Sequence, residues 1–392
     1  MNRRHIRYYI FLKDVLSLAL TAFGGPQAHI ALYLNLLVQK RRYITEEELI
    51  ELNALCSILP GPTSTQTLAA VGYKLGGPKL AYLTLLLWIL PAMTLMIFAA
   101  LSLSYFQETG PELRFARFIM PMAVGIVAYS GLKISQKVIK TKLAFAIMAV
   151  SAIVSFIFHS PYLFPVQLLT AGLITSLSYK KTPSKEKQKM HIKWANFILW
   201  LGVLLAAGLV GYLTKDLTVR VFENFYRNGS LIFGGGQVLV PLLYSEYVEL
   251  KHYLTSDEFL TGYGLVQAVP GPVFSFSAFL GALTTRDSGT LGQIFGGIAA
   301  SAGIFLPGIF LIFFVIRFWD ELKKYRPIRC SLEGINAASS GMVIAAVFLL
   351  SMPMEKSLLN ISLAAATFCL LNFTKMPAPV IILAGLLFGF IL

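Results

Sequence analysis

Two stretches of this sequence carry residue types that could handle an anion inside an apolar environment. "FGGPQAHI" (23–30) and "FGGGQVLV" (233–240) each set a glycine cluster and a glutamine in an apolar run. Each is followed by a Pro-Gly-Pro, at 60–62 and at 270–272. Gly24, Gly25, Gly234 and Gly235 permit backbone angles that other residues avoid, and allow close approach of a ligand or another helix. Proline removes a backbone donor yet suits the first turn of a helix, so Pro-Gly-Pro ends one helical segment and starts the next. The new segment after Gly61 or Gly271 presents unpaired N–H groups and a positive dipole end, the arrangement that holds anions. Thr63, Ser64, Thr65 and Gln66 add polar side chains in the first copy, and Ser275 and Ser277 in the second. Gln27 and Gln237 could hydrogen-bond a ligand or the opened backbone. The competing reading of these breaks is a kink or a small-residue packing surface.

The ionisable residues near the breaks are few. Arg227 lies six residues before the second break, where an arginine in an apolar segment is costly and reads as a counter-charge for an anion. Snorkelling to the interface is its alternative. His29 follows the first break and has Leu239 in the matching position of the second. It reads either as a buried, hydrogen-bonded imidazole or as a proton carrier. Asp14 and Glu223 occupy adjacent matched positions, as Lys13-Asp14 and Glu223-Asn224. They are expected to form internal ion pairs or to titrate, so His29, Asp14 and Glu223 are the coupling candidates. Glu46, Glu47 and Glu48 open an amphipathic helix, where helix-dipole placement accounts for them. Cys56, Cys330 and Cys369 are isolated, with no Cys/His metal spacing. No P-loop and no nucleophile–base pair occurs. The expectation is a protein that is not an enzyme, with no catalytic residue, metal or cofactor.

The elements that position these residues repeat. With Phe23 on Phe233 the offset is 233 − 23 = 210, and the same offset places Gly24, Gly25 and Gln27 on Gly234, Gly235 and Gln237. It also places Tyr43, Thr45 and Glu48 on Tyr253, Thr255 and Glu258, and the first Pro-Gly-Pro on the second. Pro91 and Pro307, and Arg117 and Arg326, are weaker echoes, the arginines reading as membrane anchors. The chain therefore divides into a first repeat (1–180), a basic linker with one further apolar run (181–213), and a second repeat (214–392).

Of the 392 residues, 56% are hydrophobic and only 13% charged, where a soluble domain carries about a quarter. Apolar runs recur along the chain, and about 20 such residues span a bilayer. The fold class expected is an all-α polytopic membrane protein with broken helices and about 10–13 transmembrane segments. The net charge of +14 sits in short loops, above all "SYKKTPSKEKQKMHIK" (178–193), which marks a cytoplasmic side and not a nucleic-acid surface. The N-terminus resembles a signal peptide, but its apolar run continues into the first break, so it reads as a retained helix with a cytoplasmic N-terminus. Each half offers six apolar segments; the extra run at 194–213 makes the count odd and inverts the second half. Re-entrant hairpins in place of the first segments would leave that parity unchanged. Inverted repeats with interrupted helices are the architecture of secondary transporters, with the substrate near mid-membrane.

The pairing of "FGGPQAHI" and "PGP" in one half with "FGGGQ" and "PGP" in the other resembles the chromate ion transporter family in its long form. The resemblance covers essentially the whole chain. It implies export of chromate across a prokaryotic inner membrane, with sulfate as the chemical look-alike, by two antiparallel six-helix units joined by one helix. The partners expected are thus an oxyanion and the lipid bilayer, while small-residue stripes would support a homodimer. The rival readings are a transporter of another small anion or organic solute, and a non-transporting scaffold.

Overall fold

A computed structural model describes residues 3–109, 118–158, 160–177, 194–233, 236–319, 326–374 and 376–391. Gly234 and Gly235 lie outside these residues, as do Arg117 and the basic stretch 178–193; Gln27 and Gln237 are placed by their backbones alone. The described residues contain no strand. Helices α1 (Arg3–Thr21), α2 (Gly25–Tyr33) and α3 (Glu46–Ile58) precede α4 (Thr63–Thr109), which is followed by α5 (Ile119–Val138), α6 (Lys142–Ile157) and α7 (Leu163–Leu177). After α8 (Ala195–Thr214) the order recurs: α9 (Leu217–Leu231), α10 (Gly236–Tyr244), α11 (Ser256–Ala268), α12 (Phe276–Thr284) and α13 (Gly289–Val315). The last three are α14 (Arg326–Ser351), α15 (Leu358–Phe373) and α16 (Ala378–Ile391).

Both kinds of break reverse the chain. Residues 14 and 41 would lie about 40 Å apart on a straight helix, yet Arg41 and Tyr43 hydrogen-bond the Asp14 carboxylate at 2.8 and 2.7 Å. The chain must therefore fold back at the first glycine cluster. Arg227 bonded to Glu246 makes the same case for the second. The Pro-Gly-Pro turns are hairpin tips as well, because Glu48 of α3 pairs with Lys74 of α4 and Thr67 bonds Asn53. In the second half Glu258 of α11 pairs with Arg286 beyond α12. Capping boxes fix where the outer legs start, Thr45 with Glu48 and Thr255 with Glu258; each satisfies two donors left free by a helix start.

A third reversal sits inside α4. Gly76 and Gly77 leave helical geometry, and Gly77 has φ +74°. A Cβ on Gly72 would come within 2.5 Å of Thr84 Oγ1 and 3.3 Å of the Ala81 Cα. Residues nine apart in a straight helix are separated by about 13.5 Å, so α4 is two antiparallel legs, 63–75 and 78–109. Gly289, at φ +73°, makes the matching turn between α12 and α13. The short leg of α4 and its partner α3 each extend for about 20 Å, well short of a bilayer's ~30 Å hydrocarbon core. The elements tipped by Pro-Gly-Pro are thus helical hairpins, the case that sequence left open.

The halves interlock. α5 packs on α15 and α16, and the corresponding α14 packs on α6 and α7. Glycine permits these approaches: a Cβ on Gly334 would collide with the Ala171 carbonyl, and one on Gly125 would sit 2.5 Å from the Ala364 carbonyl. Among the described residues four helices are long and apolar enough to cross a membrane, counting both legs of α4 as one. α8 is one of them. It packs on α9 and α13 and exposes Ile198, Leu201, Leu205, Leu209 and Leu213. An all-α chain with this much apolar surface turned outward is a polytopic membrane protein.

Candidate functional site

The four hairpin tips meet inside the molecule, and they pair across the halves. The Gly61 N–H donates to the Ile232 carbonyl at 2.8 Å, and the Gly271 N–H donates to the Ala22 carbonyl at 2.8 Å. Each partner is displaced by the same 210 residues (271 − 61 and 232 − 22), so the exchange is reciprocal, as at a two-fold interface. Gly61 and Gly271 share φ +113°, a region open to glycine and closed to side chains. The space is equally tight: a Cβ on Gly61 would lie 2.7 Å from Gln66 Nε2, and one on Gly271 3.1 Å from the Ala92 Cβ.

Helix starts cluster around these bonds. α4 begins at Thr63, one residue past its Pro-Gly-Pro, and its first helical bond runs from the Gln66 N–H to the Pro62 carbonyl. α2 begins at Gly25 after Gly24, which is left-handed at φ +94° and exposed. His29 on the second turn of α2 ties the two starts together, with Nδ1 3.0 Å from Ser64 Oγ. In the second half the start of α10 lies against the turn 273–275, a Cβ on Gly236 falling 3.5 Å from the Phe274 ring. The Ser275 hydroxyl is fully buried there without a hydrogen-bond partner. Of the residues expected at a site, Gly24, Gly25, Gly61, Thr63, Ser64, Gly271, Ser275 and His29 are therefore gathered at the tips.

Arg227 is placed otherwise. Its Nε bonds Glu223 at 3.1 Å, and its Nη2 bonds Glu246 at 2.6 Å and Asn224 at 3.3 Å. Glu246 is 1% exposed and also takes Lys251 Nζ at 2.6 Å and Asn228 Nδ2 at 2.7 Å. Two cations thus face two carboxylates, leaving the cluster neutral. The guanidinium lies five residues before Ile232, about 7.5 Å along the helix axis. Asp14 is likewise engaged, with Arg41 and Tyr43. Asp14 and Glu223 are thus each ion-paired, Asp14 with the half-exposed Arg41 and Glu223 with Arg227.

Sequence reading passed over Glu246, Lys251, Tyr33 and Trp88. Glu246 had a usable signal, an acid in the apolar run that follows the second break. Tyr33 and Trp88 had none, since a buried aromatic looks the same in sequence whether it packs or binds. Each α2-type helix continues into a π-helical segment, Leu34–Lys40 and Ser245–Leu250, a geometry concentrated at functional sites. No group of three or more His, Cys, Asp or Glu that could hold a metal occurs among the described residues.

Comparison with known proteins follows the same repeat. The profile of the chromate transporter family matches residues 10–177 and again 219–390. A chromate transport protein of Cupriavidus metallidurans is 26% identical, over 96% of this chain and 91% of its own length. An uncharacterised transporter of Methanocaldococcus jannaschii is 24% identical over 96% of this chain and 92% of its own. A probable chromate transport protein of Synechococcus elongatus is 26% identical over 86% of this chain and 82% of its own. No solved structure matches the chain. With both halves matched and the motif-bearing tips joined at its centre, the chain belongs to the chromate transporter family, whose members are membrane transporters and not enzymes.

Proposed function

We propose that this protein is a secondary transporter of a tetrahedral oxyanion, exporting chromate, with sulfate as the competing look-alike. The observation that carries this reading is the reciprocal pair of bonds from Gly61 to Ile232 and from Gly271 to Ala22. It gathers several helix starts in the interior, and such starts supply N–H groups and positive dipole ends to an anion. The names of the relatives from Cupriavidus metallidurans and Synechococcus elongatus support chromate as cargo. Transport proceeds by alternating access, the two repeats being inverted in an inner membrane with the N-terminus in the cytoplasm. Gly24, Gly25, Gly61, Thr63, Ser64, Gly271 and Ser275 line the site, with Gln27, Gly234, Gly235 and Gln237 beside them in sequence. Arg227 flanks it and contributes charge when its carboxylate partners shift. His29 is the preferred coupling residue, since Asp14 and Glu223 already pair with arginines.

Flux of radiolabelled sulfate and chromate into proteoliposomes tests the reading. Saturable flux is expected, with each anion competing for the other and the rate responding to imposed proton or voltage gradients. Arg227→Gln is expected to reduce the rate sharply. Absence of flux for both anions from folded protein would remove oxyanion transport from consideration.

A further inference from the structure

The two Pro-Gly-Pro turns share φ +113° at Gly61 and Gly271 but not a chemistry. Around Gly61 the first half places His29, Tyr33, Thr63, Ser64 and Gln66; at the same offset the second half has Leu239, Leu243, Val273, Phe274 and Phe276. In the second half those positions are filled with hydrocarbon. Leu239, Leu243 and Phe276 are fully buried, Phe276 packs edge-on against Phe259, and Phe274 lies beside Phe305. Within the described turn 273–277, the polar side-chain atoms are the unpartnered hydroxyls of Ser275 and Ser277.

In the first half, the corresponding side chains leave polar atoms unspent. His29 is 1% exposed; Nδ1 meets Ser64 Oγ at 3.0 Å and Nε2 has no hydrogen-bond partner. The Tyr33 hydroxyl is fully buried and unpartnered, as is Gln66 Oε1. His29 and Tyr33 stand on one helix four residues apart, and both rings pack on Trp88, at 5.1 and 5.8 Å between centroids. Trp88 in turn donates from Nε1 to Thr65 Oγ1 at 3.1 Å, in the first turn of α4. An unsatisfied buried polar group costs about 1–3 kcal/mol, so His29 Nε2 and the Tyr33 hydroxyl, on two rings that share Trp88, are stabilised when a polar ligand reaches them.

We infer that the chain holds one anion seat, in its first half, built from the start of α4 with His29 Nε2–H and the Tyr33 hydroxyl as neutral donors and the Ser64 hydroxyl donating to His29 Nδ1 to fix that tautomer, while the second break is a packed pivot. This inference rests on the oxyanion reading above and narrows it, taking Gly271, Ser275 and Arg227 out of the anion's direct contacts. Neutral donors suit the arrangement because Arg227 and Lys251 are already balanced by Glu223 and Glu246. Hydroxyl and imidazole N–H groups, with the free N–H groups of a helix start, can bind a dianion without a fixed counter-charge. They also release it without breaking an ion pair, which a transporter needs on every cycle.

Equilibrium binding of radiolabelled sulfate to the purified full-length protein in detergent tests the seat, with chromate as competitor. One anion per chain is expected. Tyr33→Phe removes only an unpartnered hydroxyl, so the fold should be as stable as before or more so, while sulfate affinity falls roughly five- to tenfold. Ser64→Ala should weaken sulfate by a similar factor, and Leu239→His in the second half should leave affinity unchanged. Two anions per chain, or unaltered affinity in both Tyr33→Phe and Ser64→Ala, would overturn the inference. A wild-type protein that neither binds nor moves sulfate or chromate would instead bring down the oxyanion reading itself.

Discussion

At the residue scale, Arg227 shows how a charge in an apolar segment is stabilised. Its guanidinium and the Lys251 ammonium share Glu246, which is buried and satisfied by three donors. Removing one partner of a buried pair strands the others, at a cost of about 3–5 kcal/mol. Glu246→Ala is therefore expected to lower the thermal unfolding midpoint in detergent by several degrees. Lys74→Ala, which opens the exposed pair with Glu48, should cost at most about 1 kcal/mol. Equal shifts for the two variants would contradict the burial argument. The tip glycines make a second case. Gly61→Ala and Gly271→Ala must each force a side chain to φ +113°, and at Gly61 the new methyl also meets Gln66. Both should abolish flux even where folded protein is recovered, since the tip N–H groups must shift.

Short helices folded back on themselves dominate at the element scale. α3 and the first leg of α4 are each too short to span, so their ends must be satisfied locally. The capping boxes do this at the outer ends, and the cross-half bonds do it at the tips. Thr45→Ala and Thr255→Ala are each expected to cost about 1 kcal/mol of stability. Transport by the surviving folded fraction should be near normal, as measured by flux per unit of folded protein. Close helix crossings form the other regular device. Gly334→Leu would drive a side chain into the Ala171 carbonyl, so α14 could no longer seat on α7. Loss of folded protein is the expected outcome, read by size-exclusion chromatography.

For the whole molecule, the reciprocal contacts join halves that are far apart in sequence. α5 rests on α15 and α16 while α14 rests on α6 and α7, so neither repeat has a core of its own in that region. The two halves expressed as separate chains should therefore be unstable alone and recover only when co-expressed. The inverted arrangement proposed above places the turn at 74–79 in the cytoplasm and the turn at 284–288 outside. In a background freed of Cys56, Cys330 and Cys369, a cysteine at Ser288 should react with an impermeant thiol reagent added to intact cells. One at Lys79 should react only after the membrane is opened. Labelling of both from outside would show parallel repeats in place of inverted ones.

Sequence by itself determined the class of molecule and most of its punctuation. Apolar runs and sparse charge made it a helical membrane protein. One constant offset revealed the duplication, and glycine and proline chemistry located the breaks at Gly24 and Gly61 and their copies. These features are legible because helix start, stop and reversal depend on residues within a turn or two of each other. Tertiary structure decided which tips join. Gly61 bonds Ile232, 171 residues away (232 − 61), and Gly271 bonds Ala22, 249 away (271 − 22). It also decided that Arg227 is neutralised by Glu246, that His29 keeps an unspent nitrogen beside Ser64, and that the Tyr33 hydroxyl is buried without a partner. Such facts arise from packing between distant segments, where burial and the loss of competing water give each polar atom its role. Residue types at the two Pro-Gly-Pro turns, which share φ +113° at their glycines, differ between polar and phenylalanine-rich, and only the folded chain shows which of those side chains keep unpartnered polar atoms.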